Sequence, residues 1–245
     1  MAERQPLLAV LIDADNVPAG YAEAIFDEIA GFGEASIRRI YGDFSREAMR
    51  SWAKKLATLA IVPHQQFANT KGKNSSDIAL VIDAMDILHS GRFDGFVLVS
   101  SDSDFTRLAS RVREQGVEVY GMGERKTPEA FVKACKRFIY LENLVAPAQP
   151  KPQPKSPPAR EPAEAAERPA EAEDPTKLVI RAMDAINQED EWFSLGQIGQ
   201  YITAAYPDFD TRTYGHKKLS DLLGHLKLFE LRKGAGNQFE VRRID

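Results

Sequence analysis

Aspartates recur at three separated places in the sequence, each beside an apolar run or the start of a helical pattern. Asp13 ends the apolar run LLAVLID, and Asp102 and Asp104 follow the apolar run GFVLVS. Asp77 follows the segment KGKNSS, which leads into a run with helical spacing. Crowded carboxylates repel one another, and hard divalent cations that prefer oxygen ligands relieve this repulsion. We therefore expect these aspartates to bind Mg²⁺ or Mn²⁺ at one site.

A divalent cation held in this way favours the hydrolysis of phosphate esters. It can bind a phosphodiester oxygen, lower the pKa of a bound water and stabilise the in-line transition state. We expect the same aspartates to be catalytic, so that no Ser, His or Cys nucleophile is needed. Lys71 and Lys73, in the loop before Asp77, are expected to contact the substrate backbone.

The predicted secondary structure explains why these aspartates would meet. Continuous apolar runs at 7–13 and 95–100 are typical of buried parallel strands, and repeated strand–helix units predict an α/β fold. The expected architecture is a mostly parallel sheet with helices on both faces. Ligands of such sheets bind at the carboxyl ends of the strands, where the aspartates lie. The other predicted strands cover 36–41, 61–67, 117–121 and 137–141, and the helices cover 18–30, 47–59, 77–88, 104–115 and 128–134.

A change in composition divides the chain into two domains. Residues 147–174 are rich in Pro, Ala and Glu and contain no aromatic or β-branched residue, so they cannot bury enough apolar surface to fold. We expect them to form a semi-rigid linker that tethers a domain at 175–245 to one at 1–146. The predicted helices of the second domain cover 177–187, 195–206 and 217–226, and strands at 228–232 and 238–242 complete a winged helix-turn-helix.

The remaining polar residues around the third predicted helix have ordinary roles. Ser75 and Ser76 are candidate N-caps of this helix. Asp83 and Asp86 lie further along it, at spacings from Asp77 that do not stack well on one face. We expect both to be surface charges, although Asp83 could also support the acidic site.

Three motifs, taken in order, resemble those of one family: LIDADNV, KNSSDIALVIDAMD and LVSSDSDF. From residue 7 to 144 the chain resembles the NYN family of PIN-like ribonucleases, in its bacterial DUF88/LabA-like group, which is related to limkain-type proteins. The resemblance implies a metal-dependent ribonuclease, which we expect to act as an endonuclease. It implies that Asn16 orients a carboxylate or binds substrate, and that Ser100 and Ser101 lie beside the site to contact substrate. The acidic positions of the family transfer to Asp13, Asp77, Asp102 and Asp104.

The second domain resembles the OST-HTH/LOTUS module, a winged helix that binds RNA and is often joined to NYN domains. The resemblance is carried by WFSLGQIG, by FDTRTYGHKKL and by GNQFEV in the last hairpin. It implies RNA contacts near a helix start, where backbone N–H groups and cations hold phosphate and Tyr214 stacks on a base. The alternative for Tyr214 is packing in the core. The candidate RNA contacts are Arg212, Tyr214, Lys217 and Lys218.

Two other functions remain open. The segment DADNV resembles the DxDx[TV] start of haloacid dehalogenase-type phosphatases, in which Asp13 would be the nucleophile and Asp15 the general acid. Against this, Pro18 begins a helix at once and leaves no room for the flap that those enzymes insert there. The second alternative is a non-catalytic RNA-binding or adaptor protein. The retention of every acidic position argues against it, because a binding module gains nothing from crowded carboxylates.

The composition excludes several classes of protein. A net charge of −4 does not suit a protein that coats nucleic acid electrostatically, whereas a carboxylate site itself contributes negative charge. The single Cys135 excludes an internal disulfide and a Cys-rich zinc site. No apolar run is long enough to span a membrane, and residues 1–6 lack the layout of a signal peptide. We therefore expect a cytoplasmic protein that acts on RNA, with a homodimer left open.

Overall fold

The first domain is built on a six-stranded sheet in which every neighbouring pair of strands is parallel. The computed structural model describes residues 4–67, 75–145, 173–186, 191–234 and 238–244. The strands are β1 (Leu7–Asp13), β2 (Glu34–Gly42), β3 (Val62–Gln65), β4 (Gly95–Val99), β5 (Glu118–Gly123) and β6 (Arg137–Tyr140). Their order is β3-β2-β1-β4-β5-β6, so the two strands with the strongest apolar runs are central.

Helices cover both faces of this sheet, as expected for the predicted α/β fold. They are α1 (Ala22–Ile29), α2 (Arg50–Leu56), α3 (Ser75–His89), α4 (Thr106–Glu114) and α5 (Glu129–Ala134). Along β1, Val10 and Ile12 pack into the core beneath α1 and α2, whereas Ala9 and Leu11 pack into the core beneath α3, α4 and α5. A strand buried on both faces cannot alternate polar and apolar residues, which is why its sequence is continuously apolar.

Several element boundaries differ from those predicted. The helix expected at 18–30 begins with a 3₁₀ turn at Ala19–Tyr21, and 3₁₀ turns also precede α2 and α4. Tight turns of this kind are common where a chain enters a helix. Ser75 and Ser76 are not N-caps of α3 but its first two residues. They are tolerated there because the N–H groups of a first helical turn have no partner within the helix.

The second domain has three helices and a small antiparallel sheet, as expected for a winged helix-turn-helix. The helices are α6 (Pro175–Ile186), α7 (Leu195–Ala205) and α8 (Leu219–His225). The strands are β7 (Phe193–Ser194), β8 (Phe229–Lys233) and β9 (Phe239–Arg243), in the order β7-β9-β8. The hairpin was predicted from the sequence, but β7 was not, because two residues carry no detectable alternation.

The two domains are in direct contact. The backbone N–H of Phe138 in β6 donates to the carbonyl oxygen of Pro207 at 2.8 Å. The hydroxyl of Tyr140, in the same strand, donates to Asp208 at 3.0 Å. The second domain therefore adds polar contacts along the outer edge of β6, where the sheet would otherwise end.

Most of the predicted linker at 147–174 lies outside the described residues. Its last two residues, Glu173 and Asp174, are described, and they contact the second domain. The hydroxyl of Tyr214 donates to the carbonyl oxygen of Glu173 at 2.7 Å. Asp174 accepts the backbone N–H of Thr176 in the first turn of α6 at 2.9 Å.

Candidate active site

The predicted acidic site lies where the order of the strands reverses. β1 is followed along the chain by β2 on one side, while β4 lies on its other side. Loops that leave β1 and β4 therefore diverge and open a crevice at the carboxyl edge, which is where open α/β sheets bind ligands. Asp13 ends β1, and Ser100 directly follows β4.

Asp13 is a buried carboxylate with a full set of donors around it. The residue is 1% exposed. Its Oδ2 accepts the Asn16 amide and the Ser100 hydroxyl, each at 2.7 Å, and its Oδ1 accepts the backbone N–H of Asp15 at 3.1 Å. Burial raises the pKa of Asp13, while the bonds from Asn16 and Ser100 lower it. These donors hold the carboxylate in one orientation.

Both serines that follow β4 are buried and are bonded within the protein. The Ser100 hydroxyl, besides donating to Asp13, accepts the backbone N–H of Asp102 at 3.1 Å. The Ser101 hydroxyl accepts the backbone N–H of Glu124, which follows β5, at 2.8 Å. The two hydroxyls thus connect the loops after β1, β4 and β5, and their predicted contact with substrate stays a prediction.

Asp102 shapes the turn that presents Asp104. It is the N-cap of a 3₁₀ turn at Ser103–Phe105, and its Oδ1 accepts the backbone N–H of Asp104 at 2.9 Å. An N-cap of this kind satisfies a donor that has no partner within the helix. The capping role leaves the second carboxylate oxygen of Asp102 for other contacts.

Asp77 connects the α3 side of the crevice to the other acidic groups. It lies in the first turn of α3. The pKa of Asp77 is raised to about 6, first by burial and then by the negative charges of four other aspartates. In decreasing order of effect these are Asp13, Asp102, Asp15 and Asp104. The structure therefore brings the predicted aspartates of three separate segments into one electrostatic cluster.

The family of the chain follows from comparison with protein-family models. The model of the NYN domain matches residues 7–142, which is more than half of the chain. The chain belongs to the NYN family. The model of the OST-HTH/LOTUS domain matches residues 170–241, so the second domain is an OST-HTH domain.

Two solved structures from bacteria are also similar to parts of this NYN protein. A crystal structure of a protein of unknown function from Vibrio parahaemolyticus is 19% identical, with a TM-score of 0.47, over 56% of this chain and 94% of that one. A solution NMR structure of an uncharacterized protein from Nitrosomonas europaea is 30% identical, with a TM-score of 0.27, over 38% of this chain and 93% of that one. A search of the curated proteins finds no match.

The donors of the NYN acidic cluster suit a hard divalent cation in chemical type. Among residues 4–67 and 75–145 and the described part of the OST-HTH domain, no three His, Cys, Asp or Glu side chains are already assembled as metal ligands. The cluster offers only carboxylate oxygens, which Mg²⁺ and Mn²⁺ prefer. The repulsion that raises the pKa of Asp77 is of the kind that a divalent cation offsets.

The structure adds Arg46 to the site, together with Asp15, which the sequence had named only as the general acid of the phosphatase alternative. Oδ2 of Asp15 accepts the Ser76 hydroxyl at 3.2 Å, and its Oδ1 lies 3.3 Å from the Arg46 guanidinium. Asp15 could have been found from its place in DADN, two residues after Asp13. No local pattern marks Arg46, because its neighbour Asp15 is distant in sequence. Lys71 and Lys73 lie outside the described residues.

Two of the predicted RNA contacts in the OST-HTH domain are engaged within the protein. The Arg212 guanidinium forms ion pairs with Glu28 of the NYN domain and with Asp210, and both raise its pKa. The Tyr214 ring is half-buried in the core of the OST-HTH domain, and burial raises the pKa of its hydroxyl to about 12. Contact of these two side chains with RNA stays a prediction.

The other two predicted RNA contacts, Lys217 and Lys218, are exposed. They lie between the 3₁₀ turn at Thr211–Tyr214 and the start of α8, and Lys218 occupies the N-cap position of that helix. A cation at this place can contact phosphate together with the free N–H groups of the helix start.

Asp83 differs from the surface charge that was expected. It is partly buried and accepts hydrogen bonds from Arg39 and from the hydroxyl of Tyr41. Nδ1 of His64 lies 3.9 Å from the same carboxylate. The two β2 residues are brought to α3 by the sheet, a contact that helix periodicity cannot reveal. Asp86 is exposed, as expected.

In the described parts of the chain, no helix combines the length and the apolar character that crossing a membrane requires. The cytoplasmic location and the homodimer both stay predictions.

Proposed function

We propose that the NYN domain is a metal-dependent ribonuclease that hydrolyses RNA phosphodiester bonds as an endonuclease. The observation that carries the proposal is the convergence of acidic side chains from the end of β1, the start of α3 and the turn after β4. Carboxylates that are fixed in a crevice and repel one another cost stability, and titratable groups perturbed in this way cluster at functional sites. The residues proposed to bind Mg²⁺ or Mn²⁺ and to be catalytic are Asp13, Asp77, Asp102 and Asp104.

The protein's own groups would act by holding charge in fixed positions. A bound Mg²⁺ or Mn²⁺ would supply an activated water and a counter-charge for the phosphodiester. Asn16 and Ser100 hold the buried Asp13 carboxylate in one rotamer, so it needs no reorganisation before it acts. The Asp102 cap aligns the turn that carries Asp104.

The OST-HTH domain would hold RNA beside the NYN domain. Its exposed Lys217 and Lys218 are the strongest candidates for phosphate contacts, because both are accessible. Arg212 and Tyr214 are also proposed to contact RNA. To do so, RNA would have to displace Glu28 from Arg212 and the Glu173 carbonyl from Tyr214. Lys71 and Lys73 are proposed to steady the RNA backbone at the acidic cluster, where Ser100 and Ser101 would act from beneath it.

The test compares two aspartates of the same helix. The full chain is incubated with a labelled single-stranded RNA, with Mn²⁺ or Mg²⁺ and with or without a chelator. We expect cleavage by the wild type and by D86N, which alters an exposed residue of α3 away from the cluster. We expect no cleavage by D77N or in the presence of chelator, although D77N stays folded. Calorimetry with Mn²⁺ alone should show binding to D86N and weakened binding to D77N.

Other outcomes would support the alternatives. Wild type that binds the RNA but leaves it intact with either cation would contradict the ribonuclease and favour an RNA-binding adaptor. Asp15→Asn distinguishes the phosphatase from the ribonuclease, because Asp15 would be the indispensable general acid of the phosphatase. If the wild type hydrolyses a phosphate monoester but leaves RNA intact, and Asp15→Asn loses all hydrolysis of the monoester, the phosphatase is favoured.

A further inference from the structure

The loop after β2 is brought against the acidic cluster by the sheet. β1 and β2 are parallel neighbours with Asp13 opposite Tyr41, and the backbone N–H of Ala14 donates to the carbonyl oxygen of Tyr41 at 2.9 Å. Gly42 permits this approach, because a Cβ there would lie 3.0 Å from the Cβ of Ala14. Backbone pairing thus continues past the end of β1, and the loop that carries Arg46 runs beside Asp15.

This loop is held by a set of side-chain bonds. Oδ1 of Asp43 accepts the backbone N–H of Ser45 at 3.1 Å and the Gln65 amide at 2.8 Å. The other end of the same amide, Oε1 of Gln65, accepts the backbone N–H of Phe44 at 2.9 Å. Gln65 ends β3, so the loop is tied to the sheet on the side away from β1. The backbone of Arg46 is therefore positioned before any ligand arrives.

Arg46 is a cation at the rim of a cluster of carboxylates. Its Nη1 lies 3.3 Å from Oδ1 of Asp15, and its side chain remains 57% exposed. The other oxygen of Asp15 accepts the hydroxyl of Ser76, the residue before Asp77. One carboxylate thus connects the guanidinium to the start of α3.

A phosphodiester is negatively charged, so it is repelled by the clustered aspartates as it approaches them. A guanidinium at the rim offsets that repulsion, and its planar fork matches two phosphate oxygens at once. The pair with Asp15 is an exposed one, and pairs of this kind are weak enough to be exchanged for another anion.

We propose that Arg46 binds a nonbridging phosphate oxygen of the RNA strand at the acidic cluster, exchanging its contact with Asp15 for the phosphate. The inference rests on the proposed ribonuclease function and adds to it a substrate-positioning residue. The substrate class is a single-stranded RNA whose scissile or adjacent phosphate faces the loop after β2.

The experiment uses the full chain and a matched control on the same segment. R46A, R46K and R50A are compared for kcat and KM on a labelled single-stranded RNA with Mn²⁺. Arg50 is 74% exposed and pairs with Glu47 of its own segment. We expect R46A to lower kcat/KM about ten-fold, R46K to be intermediate because it keeps the charge without the fork, and R50A to match the wild type.

A second measurement is independent of cleavage. In a D102N background, the affinity for the same RNA is measured by fluorescence anisotropy with and without R46A. A weaker affinity with R46A supports the phosphate contact even if the wild type proves inert as a nuclease. Equal kcat/KM in an active enzyme, or equal affinity in the D102N background, overturns the role of Arg46. An inert wild type with Arg46-dependent binding overturns the ribonuclease alone.

Discussion

The guanidinium of Arg212 in the OST-HTH domain forms a two-point contact with the carboxylate of Glu28 in the NYN domain. Nη1 donates to Oε2 at 2.8 Å and Nη2 donates to Oε1 at 3.0 Å, while Nε donates to Asp210. A fork-to-fork arrangement fixes orientation as well as distance. The second domain is therefore docked at a defined place and is not only tethered through the segment at 147–174.

Glu28→Ala should loosen this docking. The substitution removes the carboxylate that Arg212 reaches across the domains but leaves Asp210 in place. The Phe138 amide, which donates to Pro207 across the same interface, should exchange with solvent about five-fold faster, which corresponds to about 1 kcal/mol. Hydrogen exchange resolved to single amides measures this. D27A, an exposed neighbour on α1, is the control, and equal exchange in both variants would contradict the docking.

Asp77→Asn should stabilise the protein in the absence of metal. Folding raises the pKa of Asp77 from 3.8 to about 6, so the folded state binds its proton more tightly than the unfolded state does. The stability that protonated Asp77 contributes is therefore lost as pH rises from about 4 to about 6. Above that window the full destabilisation by the ionised carboxylate is present. At pH 7 with chelator, we expect D77N to raise the free energy of unfolding by about 1 kcal/mol after solvent screening. Urea unfolding at pH 4 and pH 7 checks this: an equal gain at both values would contradict it.

The strands and the acidic edge were predictable because their causes are local. β1 matches its predicted range of 7–13, since a doubly buried strand must be apolar throughout and Asp13 marks its end. The alternation of strands and helices then requires parallel neighbours, which places the loop aspartates at one edge.

Contacts between distant segments could not be predicted in the same way. Arg46 meets Asp15 only because β2 lies beside β1, and Arg212 meets Glu28 only because two domains dock. The sequence of α3 does not reveal that Asp83 contacts Arg39 and Tyr41 of β2. Helical periodicity shows which residues share a face but not what packs against that face. Such pairs depend on the order of the strands and on how the domains dock. Neither can be read from composition or from the spacing of residues along the chain.

Ser100→Ala should shift the pH dependence of cleavage. The Ser100 hydroxyl donates to Asp13 and lowers the pKa of a carboxyl that burial raises. Without this donor the pKa of Asp13 rises, so its carboxylate is protonated at higher pH and the acidic limb of the kcat/KM profile moves to higher pH. S110A removes a comparable hydroxyl on α4 and should leave the profile unchanged. A uniform loss of activity with no shift would point to a purely structural role.

Asp83→Ala should destabilise the NYN domain. The substitution leaves the hydroxyl of the fully buried Tyr41 without its acceptor and removes the partner of Arg39. The expected loss is about 1–3 kcal/mol in the free energy of unfolding. Urea unfolding provides the measurement, and D86A on the exposed face of α3 should change it by less than about 0.5 kcal/mol. If D83A loses less than about 0.5 kcal/mol, the buried Tyr41 hydroxyl has found another acceptor and the prediction is wrong.

The double substitution K217A/K218A should weaken RNA binding by the OST-HTH domain and reduce its salt dependence. Both side chains are exposed beside the start of α8, and each phosphate contact contributes about 0.7 to the slope of log affinity against log salt for a single strand. Anisotropy titrations of the full chain with single-stranded RNA at several salt concentrations measure both quantities. The control K177A removes an exposed lysine of α6. If the slope falls in K217A/K218A but not in K177A, RNA meets the domain at this helix start. If it falls equally in both, the domain attracts RNA only through its overall charge, and the assignment of these two lysines is wrong.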